Sequence, residues 1–269
     1  MRAAARPEPL SADVRLMNAV AYAVYAIAAL VLLAAALAWF ARQPAFALRT
    51  VTVDGDLARA PEPALRAAAA SQAAASFFTI DLAAARAAFE SVPWVRRAVV
   101  RRVWPDRLRV TLVEHEAAAL WGADDGNDRL VNTFGEVFEA NVGDVEDERL
   151  PRLDGPEGSA ARMLALHRRL QPVLAPLSMR VETLRLSARG LWRAELDSGA
   201  TIELGRGEPP DEATAVLGRA ERFVRTVGQV SAHFQRRLLH ADLRHADGYA
   251  VRLEGITTTP DDPLPRRTR

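Results

Sequence analysis

Neither cysteine nor lysine occurs in this 269-residue chain. The missing cysteines remove zinc–thiolate sites, iron–sulfur clusters, redox pairs and thiol nucleophiles together, and leave no disulfide to report a compartment. The missing lysines make every basic side chain an arginine. With 35 basic against 34 acidic groups the formal net charge is +1, which argues against nucleic-acid binding driven by overall charge. Catalytic signatures are absent too: there is no G-x-S-x-G elbow, no H-E-x-x-H, no phosphate loop and no G-x-G-x-x-G, and Gly205-Arg206-Gly207 reads as a turn after a strand. The five histidines do not cluster, and His240 and His245 lack a ligand spacing. Glu114 and Glu116 alternate onto one strand face, but nearby arginines are simpler partners for them than an acid–base reaction. An enzyme therefore has little support.

What the chain does contain is an uncharged run over residues 16–41. At about 1.5 Å per residue it reaches about 39 Å, against a hydrocarbon core of about 30 Å. Tyr22, Tyr25, Trp39 and Phe40 lie towards its ends, and Arg15 and Arg42 bracket it. A cleaved signal peptide is the alternative, with Ala36-Leu37-Ala38 as its cleavage site, but its apolar core would be only about 7–15 residues. The expectation is a retained anchor, with a cytoplasmic tail over residues 1–15 and the bulk of the chain translocated.

Residues 45–116 read as a small α+β module. A β-branched alternation up to Val53 ends in an Asp54-Gly55 turn, Pro61 and Pro63 open an alanine-rich helix reaching about Ala75, and Asp81 caps a second helix with Leu82, Ala85 and Phe89 on one face. Residues 95–104 and the alternating Leu108, Val110 and Leu112 make two strands joined through Pro105-Asp106. The order is β-α-α-β-β, and Trp94 and Trp104 are both expected to pack on it. Arg96, Arg97, Arg101, Arg102, Arg107 and Arg109 crowd this stretch; a nucleic-acid or anionic-lipid patch is the sharp interpretation and a solvated strand face the favoured one.

Residues 117–253 carry frequent turn signals and short alternating runs, which predict a β-rich domain with helices near residues 159–174 and 211–230. Its last hairpin, residues 239–253, turns through Ala246-Asp247-Gly248 and is followed by a polar tail over 254–269 that is expected to be disordered and cannot cover it. An anchor, a small module and a β domain with an open terminal edge suggest a scaffold.

The chain also resembles a known family. Residues 92–108, VPWVRRAVVRRVWPDRL, resemble the end of the POTRA module of the FtsQ/DivIB cell-division family, and the marks of that family's β domain follow in order: residues 130–138, Leu150-Pro151 with 154–158, 204–207, and Ala241-Asp242-Leu243-Arg244. The resemblance implies an α+β protein with one N-terminal transmembrane helix, a POTRA module, and a β-rich domain with two helices. It implies a non-enzymatic divisome scaffold of the inner membrane, with its C-terminal part periplasmic and enriched at the septum. It needs no cofactor, binds FtsB and FtsL, and has FtsW and FtsI downstream. In the family the last strands of the β domain accept a strand of FtsB, and the matching positions here are Leu243, Arg244, His245, Asp247, Gly248 and Tyr249. The family often has Tyr where this chain has His245, which makes Tyr249 the candidate aromatic. A POTRA-bearing protein of outer-membrane assembly or secretion is the alternative, against which stands the absence of barrel-like segments and of a second module. A wall hydrolase lacks a nucleophile and base.

Overall fold

The computed structural model describes residues 12–41, 43, 46–55, 57–72, 76–122, 129–207, 211–234, 236–245 and 248–255. The expected turn at 125–127, the tail beyond Gly255 and residues 1–11 lie outside them. Helix α1, Ala12–Ala41, contains the one segment among the described residues that is long and apolar enough to cross a membrane, Leu16–Phe40. Its apolar side chains are exposed all round, as suits a helix whose solvent is lipid. The chain divides into two compact units, Met1–Glu114 and His115–Arg269.

In the first unit the observed order is β1 (Thr50–Asp54), α2 (Glu62–Ala70), α3 (Leu82–Glu90), β2 (Val95–Val103) and β3 (Arg107–Glu114). The three strands form a sheet in the order β1-β3-β2, with β1 parallel and β2 antiparallel to β3. Leu108, Val110 and Leu112 of the central strand pack with Leu65, Ala85 and Phe89. Asp81 caps α3 by accepting from the Ala83 and Ala84 amides at 2.8 and 3.1 Å. Helix α2 is shorter than its alanine run predicts, because Ser71 ends it. The Glu114 carboxylate accepts from the amides of Ala58, Arg59 and Ala60, at 2.7 Å from the last, so it pins a loop; the expected arginine partners are replaced by backbone donors. The strand arginines Arg97, Arg101, Arg102, Arg107 and Arg109 are exposed, as both a solvated face and a charged patch require.

The two tryptophans part company. Trp94 is only 2% exposed, at φ 71°, with the Arg59 guanidinium 5.1 Å from its ring centroid. Trp104 is 73% exposed, against expectation. The last paired residues of the β2–β3 hairpin are Val103 and Arg107, so Trp104 stands in the turn, past the pleated surface that packs on the helices.

The second unit is built on a nine-stranded mixed sheet among the described residues. Its strands are β4 (Ala117–Trp121), β5 (Arg129–Asn132), β6 (Val137–Glu139), β7 (Arg152–Asp154), β8 (Val181–Leu186), β9 (Leu191–Leu196), β10 (Thr201–Arg206), β11 (Leu238–Asp242) and β12 (Ala250–Leu253). They lie in the order β12-β11-β10-β9-β8-β7-β4-β5-β6. Helix α4 (Ala160–Leu174) connects parallel β7 and β8, and α5 (Glu212–Phe234) connects parallel β10 and β11, because parallel neighbours need a long crossover. Met163, Leu170 and Phe223 of these helices pack with Leu184, Trp192 and Ile202 of the sheet. The alternate strand positions form an ion-paired outer surface, with Arg193 on Glu203 at 2.6 Å and Arg185 on Glu195 at 3.5 Å. Gly205 and Arg206 prove to be part of β10 rather than a turn: a bulge follows Glu203, and Gly205 takes φ 78°, where a side chain would be strained.

Candidate partner-binding edge

Two strands, β6 and β12, end the nine-stranded sheet among the described residues. Strand β12 is held only from the β11 side, antiparallel, with Ala241 opposite Val251 and Asp242 opposite Ala250. The Glu254 amide donates to the Arg237 carbonyl at 2.9 Å, so Glu254 faces inwards. Amide direction alternates along a strand, which turns the Arg252 and Ala250 amides inwards and those of Leu253 and Val251 away from the sheet. That edge is unpaired among the described residues.

The six positions singled out from sequence play different parts here. Leu243 is buried, and its amide extends the β10–β11 pairing by donating to the Glu203 carbonyl at 2.8 Å. Arg244 is exposed, but its guanidinium folds back on Asp242 in a two-point pair at 2.9 and 2.6 Å. Those bonds hold the Asp242 carboxyl down at about 2 from an ordinary 3.8. Gly205 lies under Arg244, where an added Cβ would come within 3.4 Å of the Arg244 Cα. His245 and Gly248 are exposed, and Tyr249 is half-buried, its ring edge-on to Phe223 at 5.1 Å and its hydroxyl 2.6 Å from the Thr226 hydroxyl. Asp247 lies outside the described residues.

Leu243, His245, Gly248 and Tyr249 line one groove of about 430 Å³. Its other wall is α5, through Arg219, Arg222, Arg225 and Thr226, four residues that sequence reasoning missed. The spacing of three between the arginines was legible, but the stronger signal on that helix is the apolar stripe of Val216, Ala220, Phe223 and Val227. Arg219 is structural: it donates to the Leu204 carbonyl at 2.8 Å and to the Arg206 carbonyl, tying α5 to the end of β10. Arg222 and Arg225 are exposed and have no acidic partner among the described residues. The groove thus offers positive charge and one aromatic wall, at the chain that leads into β12. Across the described residues no three His, Asp or Glu side chains converge as metal ligands would. His240 lies in β11 opposite Thr201 and Arg252, whereas His245 lines the groove.

Residues 119–244 match the family described as cell division protein FtsQ/DivIB, C-terminal, and residues 46–115 match the POTRA domain of FtsQ type. The cell division protein FtsQ of Burkholderia pseudomallei is 41% identical over 249 residues, 93% of this chain and 96% of that one. The chain belongs to the FtsQ/DivIB family. The FtsQ of Thiomonas arsenitoxydans is 38% identical, covering 93% of this chain and 91% of its own, and that of Bordetella pertussis 37%, covering 90% and 92%. Family membership bears out the resemblance carried by the residues around Trp94 and Trp104, and with it the α+β architecture of one apolar helix, a POTRA module and a sheet-rich domain. It also sets aside outer-membrane assembly as the alternative. The C-terminal family match ends at Arg244, short of β12 and Tyr249.

Proposed function

We propose that this chain is a non-enzymatic divisome scaffold of the inner membrane. Residues 1–15 are cytoplasmic, residues 16–41 span the bilayer, and the POTRA module and β domain lie in the periplasm at the septum. FtsB, together with FtsL, binds by laying a strand along β12, and through this contact the protein helps control septal peptidoglycan synthesis by FtsW and FtsI. The observation that carries this is the position of β12, a sheet edge unpaired among the described residues and entered through Gly248 and Tyr249, which share a groove with the arginines of α5. An added strand gains ladder hydrogen bonds from the outward Val251 and Leu253 amides, and the basic groove selects one that brings carboxylates. Tyr249, braced on Phe223 and Thr226, provides a fixed apolar wall.

Co-purification of the full chain from solubilised membranes tests the reading. FtsB and FtsL in the eluate are expected; an eluate holding outer-membrane barrels and neither of those two overturns it. Alkaline phosphatase fused after Leu253 is expected to be active, and an inactive fusion there overturns the topology.

A further inference from the structure

The end of the POTRA sheet nearest α1 carries a group of aromatic rings that the fold does not bury. The Gln43 amide donates to the Phe40 carbonyl at 3.1 Å and the Phe46 amide to the Gln43 carbonyl at 3.0 Å, so Phe46 is tied back to the end of α1. The Phe40 ring, at the end of the span, lies 5.1 Å from Phe46, which lies 5.1 Å from Phe78, itself 48% exposed. The Phe77 amide fastens this corner by donating to the Phe46 carbonyl at 2.8 Å. The same end carries the β2–β3 turn, since the Arg49 amide donates to the Asp106 carbonyl and Thr50 pairs with Arg107, the first residue of β3. Trp104 projects from that turn, with exposed Arg49 and Arg107 on either side of Asp106.

We propose that this rim is a second membrane contact: Phe46, Phe78 and Trp104, flanked by Arg49 and Arg107, lie in the headgroup layer of the bilayer that α1 crosses and hold the module against the lipid. The inference rests on α1 spanning the membrane. An apolar segment of 25 residues exceeds a hydrocarbon core of about 30 Å by several ångströms, so Trp39 and Phe40 reach the headgroup zone. Ring contact with Phe40 brings Phe46 and Phe78 to the same depth. Aromatic rings favour that zone, and guanidinium groups pair with lipid phosphates there. The exposure of Trp104, unexplained by packing, follows from this: its ring has the lipid interface to enter. The occupant is the phospholipid headgroup layer, made continuous with the module by the span itself.

The test is tryptophan quenching in the full chain, reconstituted in phosphatidylethanolamine–phosphatidylglycerol vesicles with bromine on the acyl chains just below the headgroups. Trp94, Trp121 and Trp192 are only 2%, 1% and 1% exposed and are out of reach of the quencher. In the Trp39→Phe chain the lipid-quenched emission therefore reports Trp104. It is expected to be present there, to fall in Trp39→Phe with Phe78→Ser, and to vanish in Trp39→Phe with Trp104→Phe; both added changes are at exposed sites and leave the fold intact by circular dichroism. In the Trp104→Phe chain, quenched emission reports Trp39 and so the span. Quenching of Trp39 without quenching of Trp104 overturns the inference and leaves the span standing; quenching of neither overturns both. A Trp104 that lipid does not quench, but that added FtsB and FtsL shield from iodide, assigns the rim to a protein partner and overturns it as well.

Discussion

The two edges of the nine-stranded sheet have equal standing in the topology and opposite surroundings. Strand β6 has only three residues, and its one buried side chain, Phe138, stacks on His115 at 4.0 Å. The preceding turn is closed by the Asn132 side chain, which accepts from the Phe134 and Glu136 amides at 2.9 Å. After it comes a 3-10 segment, Val142–Glu148, bearing Asp144, Glu146, Asp147 and Glu148. The residues leading into β12, Gly248 and Tyr249, share a groove with the arginines of α5 instead. Both edge strands are short, so length does not separate them; charged neighbours are another way of blunting an edge, and those that follow β6 are acidic. The comparison teaches that two edges of one sheet can differ through their neighbours alone: acidic residues follow β6, whereas basic ones share a groove with the chain leading into β12.

The largest expected effect separates the two directions of the β12 amides. Val251→Pro removes an outward donor, so by titration of the full chain with the periplasmic segment of FtsB it should abolish binding while circular dichroism stays native. Ala250→Pro removes an inward donor and should cost about 1–3 kcal/mol in urea unfolding, by leaving a ladder carbonyl unpaired. Glu139→Lys on β6 should leave binding unchanged; a loss there equal to that of Val251→Pro would erase the distinction between the edges. Next in size, Arg222→Glu with Arg225→Glu should slow association about tenfold at low salt and less at high salt, as stopped-flow mixing would show. Neutralising Asp144, Glu146 and Asp147 should leave that rate within about twofold. A smaller effect is expected of Tyr249→Phe, which loses the Thr226 bond and should lower stability by about 1 kcal/mol or less.

The smallest effect depends on pH. The Asp242 carboxyl binds its proton more weakly folded than unfolded, being held at about 2 chiefly by the side-chain bond from Arg244. Its contribution to stability is thus full above about pH 4 and drains away as the pH falls towards about 2. Asp242→Asn should be less stable than wild type at pH 7 and converge with it near pH 2 in urea titrations. A gap that persists unchanged at acid pH would mean that the Arg244 pair does not brace this edge.

Much of this was legible in the residues. The Asp81 cap, the alternation of Leu108, Val110 and Leu112, and the helical spacing of Val216, Ala220 and Phe223 are local patterns, and the elements formed where they predict. The end of α4 fell at Leu174 as expected, whereas α5 runs on to Phe234 beyond the expected residue 230, and Gly205 marks a bulge rather than the end of a strand. The candidate edge was legible as a segment and not as a site. The sequence shows Arg244 as a free charge, whereas its guanidinium is engaged by Asp242, and Arg222 and Arg225 meet His245 and Tyr249 only because α5 crosses back over the sheet.

By itself, then, the sequence determined the span, the order of elements and the two apolar stripes, because burial at periods of two and 3.6 is decided within a few residues of chain. Which strand would be left at an edge, which amides on it would face outwards, and that Trp104 would stand exposed while Trp94 was buried were decided only by tertiary structure. Those outcomes depend on pairing between segments far apart in the chain, and no local pattern encodes which neighbour a strand lacks.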